Sequence, residues 1–351
     1  MIIIGCDFHT RYQQIAMAND ETGELLLERR LDHQSGEAHE FYRNLQGPVR
    51  VGIESTGPIH WFERLLAELG HELWIGDAAK IRASEVRKQK TDERDARLIL
   101  DLLLAKRFPK IWVPTPAERD LRQLLWHRHK LVCMRTMLGN QLHALAMSQG
   151  LCRKKALFTK KGRMELLRLE LAPWASRRRD ELLKLLDQLD APIAELERAV
   201  TEEAHRRDDA VLLMTHPGIG PITSLAFVLA IGPITRFSRS KKIASYLGLN
   251  PTEHSSGGRR RLGAISKQGN TMVRWLLIEA VHPAVRKDAA LRQDYLRLKF
   301  RRGHAVAKVA IARKLAVRMY WMLRRGAAYA QLVRMQGSSG ATLMDASSSL
   351  G

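Results

Sequence analysis

The chain has 351 residues, 45% hydrophobic and 27% charged, with 58 Lys and Arg against 37 Asp and Glu, a formal net charge of +21. That supplies apolar content for two or three cored domains at roughly 100–200 residues each and excludes a wholly disordered chain. Three scattered cysteines (Cys6, Cys133, Cys152) exclude a disulfide scaffold and fit a reducing compartment; the lack of a CxxC pair or an HExxH run argues against zinc sites; and the charge calls for a polyanion, nucleic acid before an anionic membrane.

The N-terminus, MIIIGCDFH, reaches Asp7 after a short apolar run with no cationic stretch before it, unlike a signal peptide. Residues 2–7 read as a buried strand ending in a carboxylate. Residues 13–18 and 25–31 read as two more, joined by a turn over 19–23. A short helix over 37–45 and a strand over 49–54 follow. Residues 58–69 form an amphipathic helix with Pro58 near its start and Gly70 as its stop; 72–75 is a short strand and 80–106 largely helix. Strands that meander and then alternate with helices are the pattern of a mixed α/β sheet.

Asp7 and Glu54 each end an apolar strand, and each follows a glycine, Gly5 or Gly52, on the same strand face. A glycine there is expected to clear room beside the carboxylate. In KTDERDA (residues 90–96), Asp92 and Asp95 stand at i and i+3, on one helix face. Two strand-end carboxylates and a helical acidic pair supply the hard oxygen ligands of Mg2+ or Mn2+. Two such ions about 4 Å apart would activate a nucleophile and neutralise a phosphodiester in flight. Taken singly, these acids are also what a cap, a turn or a solvated helix face presents.

The order strand–Asp, strand–Glu, helix–DxxD resembles the ribonuclease-H-like domain of RuvC-type Holliday-junction resolvases. More closely, GCDFHTRYQQIA, GIESTG and QKTDERDARLI resemble the N-terminal domain of the DEDD transposases of insertion-sequence family one hundred and ten, which has the Piv/MooV invertases as relatives. The resemblance implies a RuvC-like α/β catalytic domain over residues 1–110. It gives Asp7, Glu54, Asp92 and Asp95 the roles of catalytic, metal-binding acids.

Residues 111–213 read as a helical spacer. Thr115-Pro116-Ala117-Glu118 opens a helix with a cap, a proline at the first position and an early acid, and 119–149 is apolar at helical spacing. Within 177–213, Leu182, Leu185, Leu186, Leu189, Ile193, Leu196 and Val200 recur every three or four residues. That suits a long helix, an antiparallel coiled-coil hairpin or an ordinary bundle, with Pro192 expected to kink or break it. The basic cluster over 153–163 suits phosphate-backbone contact and equally a solvated surface.

The charge is uneven: residues 1–110 carry net −2, 111–210 net +5 and 211–351 net +18. In the last part, residues 212–225 (LLMTHPGIGPITSL) resemble a helix-hairpin-helix. Gly218 and Gly220 allow a tight turn, and free N–H groups at the next helix start suit a phosphate. A short helix with Lys241 and Lys242 precedes Ser-Ser-Gly-Gly and Arg259, Arg260 and Arg261. A hydroxyl that reaches phosphorus and guanidiniums that hold its oxygens are what a serine nucleophile needs. By composition alone the stretch reads first as a Gly/Ser linker before a basic patch, since no His–Asp base partner is identifiable by spacing.

GLNPTEHSSGGRRRLGAISKQGNTMVRWLLIEAV resembles the C-terminal domain of the same transposase family, in which a serine of this loop attacks DNA and becomes covalently linked to it. Ser256, directly before Gly257, matches that position, with Ser255 as the fallback. The resemblance places Lys267, Gly269, Asn270 and Arg274 near the phosphate. Residues 306–325 form a basic amphipathic helix whose expected partner, beside these motifs, is a nucleic-acid backbone rather than anionic lipid. Residues 214–335 are thus the expected mainly helical transposase domain, and the Ser/Gly-rich 336–351 a disordered tail.

The resulting expectation is a transposase or site-specific recombinase acting on donor and target double-stranded DNA. The acids and the serine, far apart in the chain, would be brought together across domains or subunits. The family implies a structured guide (bridge) RNA, and strand exchange a dimer or tetramer. A cytoplasmic, nucleoid-associated bacterial protein with no membrane partner is expected. The alternatives are a junction-resolving endonuclease using metal-activated water and a non-catalytic nucleic-acid-binding protein.

Overall fold

The N-terminal run folds as read: β1 (Ile2–Phe8), β2 (Tyr12–Asn19), β3 (Leu25–Asp32), α1 (Glu37–Arg43), β4 (Val49–Glu54), α2 (His60–Glu68), β5 (Glu72–Gly76), α3 (Ala78–Ala83) and α4 (Asp92–Leu104). The structure, a computed structural model, describes residues 1–55, 57, 59–84, 91–153, 155–254 and 261–338. It divides into two units, Met1–Val113 and Pro114–Gly351.

The first unit is a five-stranded mixed sheet in the order β3-β2-β1-β4-β5. β1 is central, antiparallel to β2 and parallel to β4. Both faces are covered, which is why β1 reads as a continuous apolar run rather than an alternating one. On one face Ile4, Cys6, Ile53 and Phe62 share a core with Tyr42 of α1. On the other, Ile3 and Ala16 pack with Ala96, Ile99, Leu100 and Leu103 of α4. Side-chain alternation therefore puts residues 3, 5 and 7 of β1, and 50, 52 and 54 of β4, on the α4 face.

The second unit is mostly helical: α5 (Pro116–Ser148), α6 (Lys160–Leu167), α7 (Pro173–His205), α8 (Asp208–Met214), α9 (Pro221–Ile231), α10 (Ser240–Tyr246), a β6–β7 hairpin (Pro251–Glu253 and Leu262–Ile265), α11 (Thr271–Lys287), α12 (Ala289–Arg302), α13 (His304–Arg325) and α14 (Tyr329–Ser338). α5 begins with the expected capping box: the Thr115 hydroxyl accepts from the Glu118 N–H, and the Glu118 carboxylate accepts from the Thr115 N–H. α5 and α7 run antiparallel, as the pairings Arg128–Glu197, Arg135–Asp190 and Gln141–Arg178 require. The apolar repeat of α7 thus pairs with α5, not with a return helix of its own. Of the kink or break expected at Pro192 there is no break: α7 runs on through it, with the proline exposed and Ile193 buried. The helix ends at His205, and α8 is separate from it.

α9 explains the uncharged stretch around residues 210–235. Every residue from Thr223 to Ile231 is buried, and α9 shares its core with α8, α10, α11 and α13. Among the described residues, no helix is long and apolar enough to cross a membrane. The tail beyond Ser338, expected to be disordered, lies outside the described residues.

Candidate active site

Gly5 and Gly52 sit opposite each other in the β1–β4 ladder. Their missing side chains do not leave room beside the carboxylates, as the sequence suggested; the room is taken by α4. A Cβ on Gly5 would overlap the Ala96 carbonyl oxygen and the Leu100 amide nitrogen, and one on Gly52 would come within 2.6 Å of Leu103 Cδ1. The glycines let a helix lie directly on the strands. Its first turn, capped by the Thr91 hydroxyl on the Arg94 N–H, then stands at the strand ends. Asp92 and Asp95 belong to that turn, and Asp7 lies two residues beyond Gly5 on the same face.

The result is a carboxylate cluster. Asp7, His9 and Asp92 each offer a ligand atom within 4.8 Å of the others. His9 Nε2 is 3.0 Å from Asp7 Oδ2 and 3.6 Å from Asp92 Oδ2. The Tyr12 hydroxyl donates to the other side of the pair, 2.8 Å from Asp92 Oδ2, and the Arg30 guanidinium lies 3.7 Å over the Tyr12 ring. Burial raises the Asp7 pKa above the usual carboxylate range; His9 works against that shift, while the Asp95 and Asp92 charges add to it. A half-buried carboxylate crowded by two like charges favours a bound cation, and the oxygen donors suit a hard divalent ion.

The four acids predicted from sequence do not stand alike. Asp7 and Asp92 are in the close group, and Asp95 acts on Asp7 through its charge. Glu54 ends the neighbouring strand, with a carboxylate oxygen 3.8 Å from Arg82; among the described residues it is not within that 4.8 Å group. Sequence reasoning missed His9 and Tyr12. The signal was the β1–β2 turn itself: the His9 N–H bonds back to the Tyr12 carbonyl, holding both residues at the end of β1 beside Asp7. The nearby Cys6 thiol is buried, donates to Gln13 Oε1, and is pushed up by burial, so it is no nucleophile.

In the second unit the sequence of the predicted serine loop falls between the strands of a β6–β7 hairpin, which sequence reasoning also missed. The His254 N–H bonds to the Arg261 carbonyl and the Ser266 N–H to the Asn250 carbonyl. Ser255, Ser256, Arg259 and Arg260 lie outside the described residues. The hairpin base is a tight knot. Gly248, Lys267 and Gly269 have φ of 65°, 56° and 73°, and a Cβ on Gly269 would overlap the Tyr246 carbonyl oxygen.

Two residues expected near a phosphate are built into that knot. Arg274 is buried and donates from Nη1 to the Leu247 and Gln268 carbonyls, 3.0 and 2.8 Å away. Asn270 caps α11 by accepting the Val273 N–H at 3.0 Å. Lys241, Lys242, Arg261 and Lys267 are exposed. The two hairpin-turn glycines also separate in role. A Cβ on Gly218, at φ 86°, would press on the Ala284 backbone, so Gly218 is a packing residue, whereas one on Gly220, before α9, would meet nothing within 4 Å. His216 of this turn is buried against Tyr329, and burial pushes its pKa down to about 4.

Both halves of the chain match sequence profiles. Residues 4–148 match a DEDD-type transposase profile, and residues 210–296 match one described as the transposase IS116/IS110/IS902 family. The chain is 32% identical over 309 residues to a "Probable family 20 transposase" of Pseudomonas aeruginosa, covering 84% of this chain and 89% of that protein. It is 28% identical over 326 residues to the "Transposase for insertion sequence element IS1111A" of Coxiella burnetii, 88% and 86% of the two chains. Over 256 residues it is 26% identical to the "Pilin gene-inverting protein" of Moraxella bovis, 71% and 68% of the two chains.

Proposed function

The chain belongs to the IS116/IS110/IS902 family of transposases, enzymes that cut and rejoin DNA, and from that premise we propose that it recombines DNA with a metal-binding acidic set and a serine nucleophile. The observation that carries the reading is the glycine-seated α4, which brings Asp92 and Asp95 to the strand end that bears Asp7. A ribonuclease-H-like fold for the first unit and a helix-hairpin-helix role for α8–α9 belong to the same reading.

Asp7, Asp92 and Asp95, with Glu54 on the adjacent strand, would hold the ion, magnesium or manganese. When bound, the ion supplies positive charge to the phosphate as it passes through its pentacovalent geometry and lowers the cost of deprotonating a nearby hydroxyl. Ser256 Oγ attacks phosphorus and gives up its proton. The bond from phosphorus to the leaving deoxyribose oxygen breaks, and that oxygen takes up a proton. The protein is left joined to DNA as a phosphoserine diester, and attack by a second DNA hydroxyl on that diester releases the serine. Arg259, Arg260 and Arg261 follow the serine closely in sequence and suit the non-bridging oxygens. Lys241, Lys242 and Lys267 suit backbone contacts in the segment of net +18. Donor and target duplexes, a guide RNA and a dimer or tetramer complete the proposal, as does a nucleoid location.

Replacing the nucleophile tests it. Ser256→Ala is expected to lose both the covalent protein–DNA adduct and recombination while still binding DNA, with Ser255→Ala retaining both. Retained strand cleavage by Ser256→Ala would mean that water is the nucleophile, as in a junction resolvase, and the serine mechanism would be wrong.

A further inference from the structure

The end of α12 presents a surface that the acidic site and the serine loop do not use. From Tyr295 to Met344 the sequence has no Asp or Glu and eleven Lys and Arg. Within it, Phe300 is 94% exposed, a large aromatic ring left almost wholly in water. α12 buries Leu291 and Tyr295 against the core, and Phe300 falls on the opposite side of the helix. One turn earlier on that side stands Leu296, also exposed, with Arg297 beside it. Lys299 and Arg301, its neighbours along the helix, are exposed and among the described residues enter no ion pair, whereas Arg297 pairs with Asp294 at 2.6 Å.

Burying such a ring is favourable by a few kcal/mol, so a ligand that covers it gains affinity. The surrounding charge selects the occupant. A second copy of this surface would bring like charges together, and an apolar protein face would strand Lys299 and Arg301. A nucleic-acid strand satisfies both features: phosphates meet the cations and a base face meets the ring. Paired bases inside a duplex offer no free face, so the matching ligand is a strand with unpaired bases. We propose that Phe300 and the cations around it form a stacking site for an unpaired nucleobase, made of residues that belong to neither the acidic set nor the serine loop. Strand exchange opens duplexes, and any guide strand also carries unpaired bases; both present the same chemistry.

The test measures binding of the full-length protein to a labelled single-stranded DNA, the same strand in a duplex and a single-stranded RNA of the same sequence, by fluorescence anisotropy. Phe300→Ala removes no core packing and is expected to weaken single-strand binding about tenfold while leaving duplex binding within about twofold. Phe300→Trp is expected to restore affinity and to show tryptophan quenching on binding; Phe300→Leu is expected to restore neither, because stacking needs a π-face. The strand type more affected by Phe300→Ala identifies the source of the base. Equal loss on duplex and single strand, full rescue by leucine, or unchanged binding together with a changed oligomeric state in sedimentation would each overturn the proposal.

Discussion

Asp7 is held where an ionised carboxylate is disfavoured: half-buried, with Asp92 and Asp95 adding like charge and only His9 offsetting it. Its raised pKa means that the fold binds the Asp7 proton more tightly than the unfolded chain does. Without a cation, ionising Asp7 therefore costs stability as the pH rises through its usual range and above. Asp7→Asn removes that strain and the ligand together. The variant should match or exceed the wild-type melting temperature in EDTA, show no heat of Mn2+ binding by calorimetry, and lose at least about a hundredfold in cleavage. A variant that melts lower in EDTA but still binds Mn2+ would show Asp7 to be a structural cap instead. His9 and Tyr12 escaped the sequence reading because their contribution depends on the reversal between β1 and β2, which aims both side chains back at Asp92 and Asp7.

At the scale of elements, the site depends on how closely α4 approaches the sheet. The two glycines are not equivalent. Gly5 is pressed by α4 backbone, which cannot yield without moving the helix, whereas Gly52 meets first the tip of the Leu103 side chain. Gly5→Ala should therefore destabilise the protein by about 1–3 kcal/mol and weaken divalent-metal binding although every acid is intact; Gly52→Ala should do both to a smaller extent. Thermal melts and metal titrations of the two variants check the ordering, and an equal or reversed ordering would refute the backbone-contact argument. Much of this element pattern was legible beforehand: the strands, the α5 cap and the acidic helix turn all follow from local apolar spacing and capping chemistry. What glycine clears room for was not legible, because that depends on which helix later in the chain packs over the strand. Nor was the unbroken α7, where burial of Leu182, Leu183 and Leu186 on one side of Pro192 and Val200 and Ala204 on the other outweighs the lost hydrogen bond.

At the scale of the whole molecule, the positive charge is concentrated after residue 210, at net +18, against +5 for residues 111–210 and −2 for the first 110. The proposed metal-binding carboxylates and most of the excess cations are thus kept in different parts of the sequence. The β6–β7 knot, with Arg274 clamping the Leu247 and Gln268 carbonyls, gives the serine segment a fixed base. In the proposed reaction DNA is cut by transfer to a serine with the help of the acids. The direct measurement is to trap the protein on cleavable DNA in Mg2+, digest protein and DNA, and locate the nucleotide-bearing residue by tandem mass spectrometry. A nucleotide on Ser256 is expected, present in wild type and lost in Asp7→Asn. DNA cut by wild-type protein with no nucleotide on any serine would contradict it.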